Sequence, residues 1–510
     1  MTTTPTPTGT SYRSQLHPAK AGFGRLLLAE WTKFRTVRAW PLVLALAAAV
    51  TVAVSQLGAA GSVTSGGPAV TLAPDGTVVT DGFHTAHRTL TGDGTVTVRV
   101  TGLKSADGGE LEPWAKAGLI LKESLKPGSP YAAVMATGDH GVRMQWDFTH
   151  DTSGGATDGP VWLRLTRGGD RVTGYMSHDG RDWTAIEAVR LAGLPDTVQV
   201  GAFVATPMHQ VVQRSFGGTS QTAGGGEATG TFDHLTAEGA PAGARWASAD
   251  VSGGIPSGPT AADARPGTTH VSASGTYTLT GRGDIAPDLT RGDTVQMSFQ
   301  GVFVGVLFMV ALGALFVTSE YKRGLLRTTF TATPARTKVL AAKALVLSAV
   351  TFAVALPATA LGFTLAQSTL RDNGFTPPAF PDLSLLAEPA LHAVVGSALL
   401  LTLVAVLALG TGVLLRTGAG AIAIVAVLVI LPQILSLALP LPVAHWLLRA
   451  TPAAAFAIEQ GVTYPRFVDH NCIPGSGCYP LAPWHGLAVL AAYALAALLL
   501  AAWSLRRRDA

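Results

Sequence analysis

Charge is scarce in this sequence: Asp, Glu, Lys and Arg make up 13% of 510 residues, where an ordinary soluble protein carries roughly a quarter. A single water-soluble domain is a poor fit. Cysteine is scarcer still, with two residues, which excludes a disulfide-rich scaffold. There is no Gly-x-x-x-x-Gly-Lys-Ser/Thr run, the loop whose backbone amides cradle phosphates, so the chain has no recognisable means of hydrolysing ATP itself. The formal net charge is +4. The basic residues stand beside apolar runs, without interleaved aromatics or a basic stripe, so nucleic-acid binding has little support.

What the sequence does contain is hydrophobic, 48% by count, and unevenly placed. Ala, Leu and Val runs fill 40–60 and most of 297–505, while 62–296 holds most of the Gly, Asp, Thr and Ser. Two solvents are implied, lipid and water. Residues 1–21, rich in Thr and Pro, read as a disordered tail. The run at 40–60 starts too late, and lacks the cleavage site, for a removable secretory signal. It is read as a permanent anchor within 39–61.

Six segments reach the roughly 20 residues needed to cross a bilayer: 40–60, 298–318, 339–366, 389–414, 419–441 and 484–505. An even number puts both termini on one side. Arg25, Lys33, Arg35 and Arg38, then Lys322, Arg323, Arg327, Arg336, Lys338 and Lys343, then Arg416, then Arg506, Arg507 and Arg508 all fall on the termini and even-numbered turns. The opposite loops of 297–510 offer only Arg371, Arg449 and Arg466. By the positive-inside rule the termini are cytoplasmic, and 62–296 and the loop 442–483 are extracytoplasmic. Cys472 and Cys478 share that outer loop, where a close pair is expected to form a disulfide. A metal site joining them to His470 and His485 would need an unusual ligand spacing. The spans have almost no ionisable residues near their middles, which disfavours an ion-coupled carrier. Pro357, Pro432, Pro440 and Pro442 are expected to bend or end helices, and 443–460 reads as a short re-entrant or interfacial helix.

From about 70 to 240, short β-rich runs alternate with turn residues: 95–100, 117–122, 131–136, 142–148, 161–166, 171–177 and 198–205. This rhythm predicts an antiparallel sandwich of about ten strands, with hairpin turns at Asp179-Gly180 and Gly168-Gly169-Asp170. The segments 114–124, 161–167 and 177–183 resemble concanavalin-like jelly rolls, a fold common among extracellular glycan-binding proteins and glycanases. Residues 275–285 look like the strand that opens such domains, here placed last and expected to return and complete the sandwich. A retaining glycanase needs two facing carboxylates about 5 Å apart. No Glu-x-Asp-x-x-Glu run supplies them, and Glu123, Asp147 and Asp151 read as turn and surface acids. Trp114, Trp146, Trp162 and Trp183 are candidate platforms for sugar rings, though aromatics in a sandwich more often fill its core. The Arg-Gly-Asp triplets at 282–284 and 291–293 read as turns.

Residues 22–38 predict an amphipathic helix in the inner interface, with Phe23, Leu26, Leu27, Trp31, Phe34 and Val37 on one face. Glu30 falls in the middle of that face. A carboxylate there must reach a cation such as Lys33 or face protein rather than acyl chains.

Ala29-Glu30-Trp31-Thr32-Lys33-Phe34-Arg35-Thr36 before the first span, Ser319-Glu320-Tyr321-Lys322-Arg323-Gly324 after the second, then Thr333-Pro334-Ala335-Arg336 and Ala342-Lys343, resemble the ATP-binding-cassette type-2 permeases. The resemblance covers 20–60 and 297–510. It departs from the usual pattern in the large insertion after the first span. It implies a multi-pass α-helical membrane protein of six spans, type V exporter-like, with an inserted all-β jelly-roll sandwich. It further implies a second permease copy as partner and a separate cytoplasmic ATPase that uses ATP and Mg. The segment 319–338 would be the coupling element that docks in the ATPase, and 22–38 the connecting helix. Glu30, Glu320, Tyr321, Arg323, Gly324, Pro334 and Arg336 would then carry the coupling, and a hydrophobic or amphipathic cargo would leave the cell membrane outward. The rival expectation is a membrane-anchored protein that binds or senses a cell-surface glycan, for which one anchor would suffice.

Overall fold

A computed structural model describes the chain except for residues 1–21, 63–69, 158, 216–217, 225, 242–244, 254–265, 290, 333–334, 463–464, 466, 469–471, 473–477 and 508–510. The helices are α1 (Phe23–Thr36), α2 (Ala39–Gly61), α3 (Thr294–Met297), α4 (Gln300–Lys322), α5 (Leu325–Ala332), α6 (Arg336–Asp372), α7 (Ala390–Leu415), α8 (Gly418–Val429), α9 (Leu431–Ser436), α10 (Leu441–Ala450) and α11 (Pro483–Arg507), with a 3-10 helix at Pro452–Glu459. Among the described residues, α2, α4, α6, α7, the pair α8–α9 and α11 are long and apolar enough to cross a membrane.

They match the six segments expected, with two differences of length. At 37 residues α6 exceeds the expected 339–366 at both ends, and at 1.5 Å per residue it is about 55 Å long, well beyond a hydrocarbon core. The fifth stops at Ser436 rather than 441, because Pro432 sits in the first turn of α9 and Pro440 directly precedes α10. Pro357 is carried inside α6 without ending it. The expected re-entrant piece is split into α10 and the 3-10 helix, all of whose residues from Pro452 to Glu459 are buried.

The central helix is α7, enclosed by α4, α6, α11 and the 3-10 helix. Small residues allow the close approach. A Cβ added at Gly313 of α4 would meet the Ala405 carbonyl oxygen of α7 at 2.1 Å, and one at Gly301 the Thr51 oxygen of α2 at 1.9 Å, the packing by which apolar helices associate without a hydrophobic driving force. The ends are tied in pairs. Asn373, just after α6, donates its side-chain amide to the Ala59 and Ser62 carbonyls at the end of α2, at 3.1 and 2.9 Å. Arg336, at the start of α6, donates to the Leu505 carbonyl near the end of α11 at 3.1 Å.

Between α2 and α3 the strands are β1 (Thr71–Leu72), β2 (Val78–Thr91), β3 (Gly94–Ser105), β4 (Lys116–Lys122), β5 (Tyr131–Thr137), β6 (Val142–Trp146), β7 (His150–Gly155), β8 (Val161–Gly168), β9 (Arg171–Ser177), β10 (Thr184–Arg190), β11 (Thr197–Ala205), β12 (His209–Ser215), β13 (Gly218–Gly224), β14 (Ala228–Glu238), β15 (Ala247–Gly253), β16 (Thr268–Val271), β17 (Tyr277–Gly281) and β18 (Ile285–Pro287). One sheet runs β1-β2-β11-β4-β5-β6-β7, with β15 and β18 also on β2. A second runs β10-β9-β8-β3-β14-β17-β16, and β12 and β13 form a separate hairpin. All pairings are antiparallel. Residues 275–285 do complete the sandwich: β17 pairs with β14 and β18 with β2.

Between the sheets lies a core that includes Val98, Leu119, Val134, Leu163, Val200 and Phe232. Strand β8 alternates buried and half-buried residues, as one covered face requires, while β4 and β5 are buried throughout because their outer face is filled too. There Phe83, Ile120, Tyr131, Phe148 and Phe203 form a second apolar cluster. Two buried ion pairs flank it, Lys116–Asp284 at 2.5 Å and Lys122–Asp81 at 2.8 Å. Burial pushes the Lys122 ammonium down, against the pull of Asp81.

Candidate functional site

The strongest concentration of buried charge in the helical part joins α1, α4 and α6. Glu30 lies in α1, which fits the expected 22–38 except that it ends at Thr36, before a short break and α2. The apolar face divides: Phe34 is buried, Leu26 and Leu27 pack against the helical core, and Phe23 and Trp31 remain exposed. Glu30 falls on the protein side at 3% exposure. Both resolutions of its burial hold together, because one oxygen accepts from Lys33 Nζ at 2.8 Å and the other from Lys343 Nζ at 2.7 Å.

Lys343 itself is 1% exposed and also donates to Glu320 Oε1 at 2.6 Å. Lys33 closes the ring, 3.6 Å from that same oxygen. Two carboxylates and two ammonium groups therefore balance, three of them buried and Lys33 reaching the solvent edge, the pairing under which buried charge is tolerated. The Phe316 ring adds a π face 5.1 Å from Lys343 Nζ and packs against Phe34 and Trp40. Partial burial opposes the charge of Lys33, but the hydrogen bond and attraction from Glu30, then from Glu320, outweigh it and raise its pKa. Glu320 Oε2 is buried without a hydrogen-bond partner among the described residues. A small cavity beside the cluster is lined by Val317, Tyr321, Arg336, Val339, Lys343 and Leu505, among others.

The chain then leaves α4 through a turn. Gly324 has φ 69°, the left-handed conformation that commonly closes a helix and is least costly for glycine, and its amide donates to the Tyr321 carbonyl at 3.2 Å. This redirects the chain into α5. Arg323 and Gly324 are exposed, and Arg416 sits 5.6 Å from the Tyr321 ring. Of the seven candidate coupling residues, Glu30 and Glu320 join the cluster, Tyr321 and Arg336 line the cavity, and Arg323 and Gly324 form the exposed turn. Pro334 lies outside the described residues. Lys343 is the member that sequence reasoning did not assign to the site. Its signal was present: one lysine inside an apolar helix, with two carboxylates similarly misplaced elsewhere.

In the segment between the 3-10 helix and α11, Cys472 and Cys478 form a disulfide. Asp293, in the second Arg-Gly-Asp triplet, caps α3 by accepting from the amides of Val295 and Gln296, and it also accepts from Gly461 and Val462. The strap returning from the sandwich is thereby stapled to the end of the 3-10 helix. Burial pushes the Asp293 carboxyl up and the four amides partly offset this. Asp284 of the first triplet is the partner of Lys116, so both triplets are internal anchors as well as turns.

The four tryptophans proposed as sugar platforms already carry protein partners. His140 stacks on Trp114 at 4.0 Å and His150 on Trp146 at 4.9 Å, Arg99 and His234 cover Trp162, and Arg164 lies 3.7 Å from the Trp183 ring. Of the scattered acids, Asp151 is paired with Arg143 and accepts from Gln145 Nε2 at 3.1 Å.

No family profile and no curated protein matches the sequence. Solved structures align over parts of the chain. A protein of unknown function from Saccharomyces cerevisiae aligns at 16% identity, over 31% of this chain and 74% of its own, with a TM-score of 0.21. A peptidase of the eqolisin family, in complex with the tripeptide Ala-Ile-His, aligns at 8% identity over 39% and 98%, with a TM-score of 0.24. A GH43 protein from Bacillus licheniformis aligns at 15% identity over 25% of each chain, with a TM-score of 0.17. Likeness at this level carries no argument about activity.

Proposed function

We propose that the chain is the membrane-spanning permease subunit of an ATP-driven exporter, with hydrolysis supplied by a separate cytoplasmic ATPase of the ATP-binding-cassette type. The observation that carries this reading is the Glu30–Lys343–Glu320 cluster. It binds the amphipathic helix α1, the inner end of α4 and the start of α6 into one unit beside the exposed turn at Arg323 and Gly324. A load applied at that turn would reach three helices at once, which is what rigid-body coupling between an ATPase and a helical bundle needs. The sequence resemblance at 29–36 and 319–324 supports the same residues.

Placement in a cell membrane, with both termini cytoplasmic and the sandwich outside, rests on the basic residues. It gains support from exposed tryptophans at both expected interfaces: Trp31 and Trp503 on the inner side, Trp446 and Trp484 on the outer, as in the aromatic belts of membrane proteins. Lipid-facing surface is plentiful on α2 and α8, where Leu42, Leu46, Leu57, Ile424 and Val427 are exposed.

The test is purification of the intact protein in mild detergent, with mass spectrometry of what remains bound. Recovery of a P-loop ATPase with the unaltered protein and its loss with Arg323→Ala supports the reading. Absence of any ATPase, or equal recovery from both, contradicts it.

A further inference from the structure

Strand β15 is held on β2 with Asp250 opposite His84. Directly opposed residues lie on one face of a sheet, and so do residues two apart along a strand, so His84, Asp250 and Ser248 share a face. Strand β16, which belongs to the other sheet, crosses them and brings Thr269 alongside. His84 Nδ1 is 2.7 Å from Asp250 Oδ1, and His84 Nε2 is 2.8 Å from Thr269 Oγ1 and 3.2 Å from Ser248 Oγ. The two hydroxyls are 2.9 Å apart.

Backbone glycine makes the fit. A Cβ at Gly267 would come within 2.3 Å of His84 Nδ1, and one at Gly281 within 2.7 Å of His84 Cβ. The Gly267 amide also donates to both Asp250 oxygens, at 3.2 and 3.1 Å. The imidazole is thus almost wholly enclosed, at 2% exposure, while Ser248 is exposed.

A carboxylate only accepts, so the imidazole proton sits on Nδ1 and Nε2 is left to accept from a hydroxyl. This is the nucleophile, base and orienting-carboxylate arrangement that activates serine on unrelated folds. We propose that Ser248, His84 and Asp250 form an acyl-transfer site on the rim of the sandwich, with small exposed esters as its substrate class. Ser248 is the nucleophile because its primary hydroxyl is the one open to solvent.

In the first step the Ser248 Oγ–carbon bond forms and the ester carbon–oxygen bond breaks. The Oγ proton passes to His84 Nε2 and on to the leaving alkoxide. Water then adds to the acyl group, giving up its proton through the same nitrogen, and Oγ leaves, so one water is consumed per ester. Among the described residues β15 pairs only with β2. No strand among those residues takes up the amides of its other edge, which are the donors the proposal assigns to the developing oxyanion.

The experiment uses the full chain in nanodiscs, a fluorophosphonate probe, and mapping of the labelled peptide. The expected result is covalent label on Ser248 that is absent from Ser248→Ala, with the labelling rate of Asp250→Asn lower by about 100-fold or more, since loss of the orienting carboxylate is costly in such sites. Mapping on the unaltered protein decides the matter even if a variant fails to fold. No label, label on Thr269, or an unchanged rate in a folded Asp250→Asn protein would overturn the proposal and leave the cluster as a hydrogen-bonded tie between the two sheets.

Discussion

Glu30 and Lys343, 313 residues apart in the chain, form a 2.7 Å ion pair in which neither side chain is more than 3% exposed. The pair fixes the amphipathic helix α1 to the start of the longest helix, α6. Its stability depends on completeness, because desolvating two charges is repaid only while each keeps its partners.

Replacing Lys343 by Met leaves Glu30 and Glu320 buried with only the half-exposed Lys33 between them. The expected loss is about 3–5 kcal/mol, the usual consequence of breaking a buried pair. Lys33→Ala is expected to cost about 1 kcal/mol or less, since its partly exposed charge is screened by solvent. Neutralising the set as Glu30→Gln, Glu320→Gln and Lys343→Met should recover most of the single-variant loss. Thermal unfolding in detergent compares the three.

The Glu459 carboxyl closes the 3-10 helix outside the six apolar helices, where burial and then the charge of Asp293 push its pKa well above the usual carboxylate range. Its Oε1 has no hydrogen-bond partner among the described residues. The folded protein therefore holds a proton that the unfolded chain releases. This contribution is fully present below the unfolded pKa of about 4.3 and is lost as pH rises through the folded value. Glu459→Gln should raise the melting temperature at about pH 8 and leave it nearly unchanged at about pH 4. An equal effect at both values would show that Glu459 is not held neutral.

The disulfide gives a test of sidedness. On intact cells, a membrane-impermeant maleimide should label Cys472 and Cys478 only after an impermeant reductant is added outside. Labelling that needs permeabilised cells would place the loop 442–483 on the inner side. Reduction removes the constraint of a short closed loop and should lower stability by about 2 kcal/mol on the chain-entropy scale.

Much of this organisation was legible from periodicity and length. The apolar runs located all six long helices, and the strand segments from 95–100 to 198–205 all fall in strands, although 142–148 overruns β6 by two residues. About ten strands were expected and the domain has more, because the sequences of β12 and β13 are mostly polar or small, and β15, β16 and β18 are short or largely polar, so none of the five carries the apolar alternation by which a strand is recognised. Buried charge was the least legible feature. Glu30 stood out because an apolar helix face surrounds it, yet pairing it with Lys343 requires knowing that α1 folds back on α6. Asp284 and Asp293 read as turn residues, and only the tertiary fold gives them Lys116 and the Gly461 and Val462 amides.

The central claim is that motion at the inner turn reaches the outer side through the Glu30–Lys343–Glu320 cluster. The direct measurement is hydrogen exchange of residues 452–459 in the complex with its copurified ATPase, with and without a non-hydrolysable ATP analogue. Nucleotide should change protection there in the unaltered protein and fail to do so in the Glu30→Gln, Glu320→Gln, Lys343→Met variant with the ATPase still bound. The same nucleotide response in both, or none in the unaltered complex, would contradict the account.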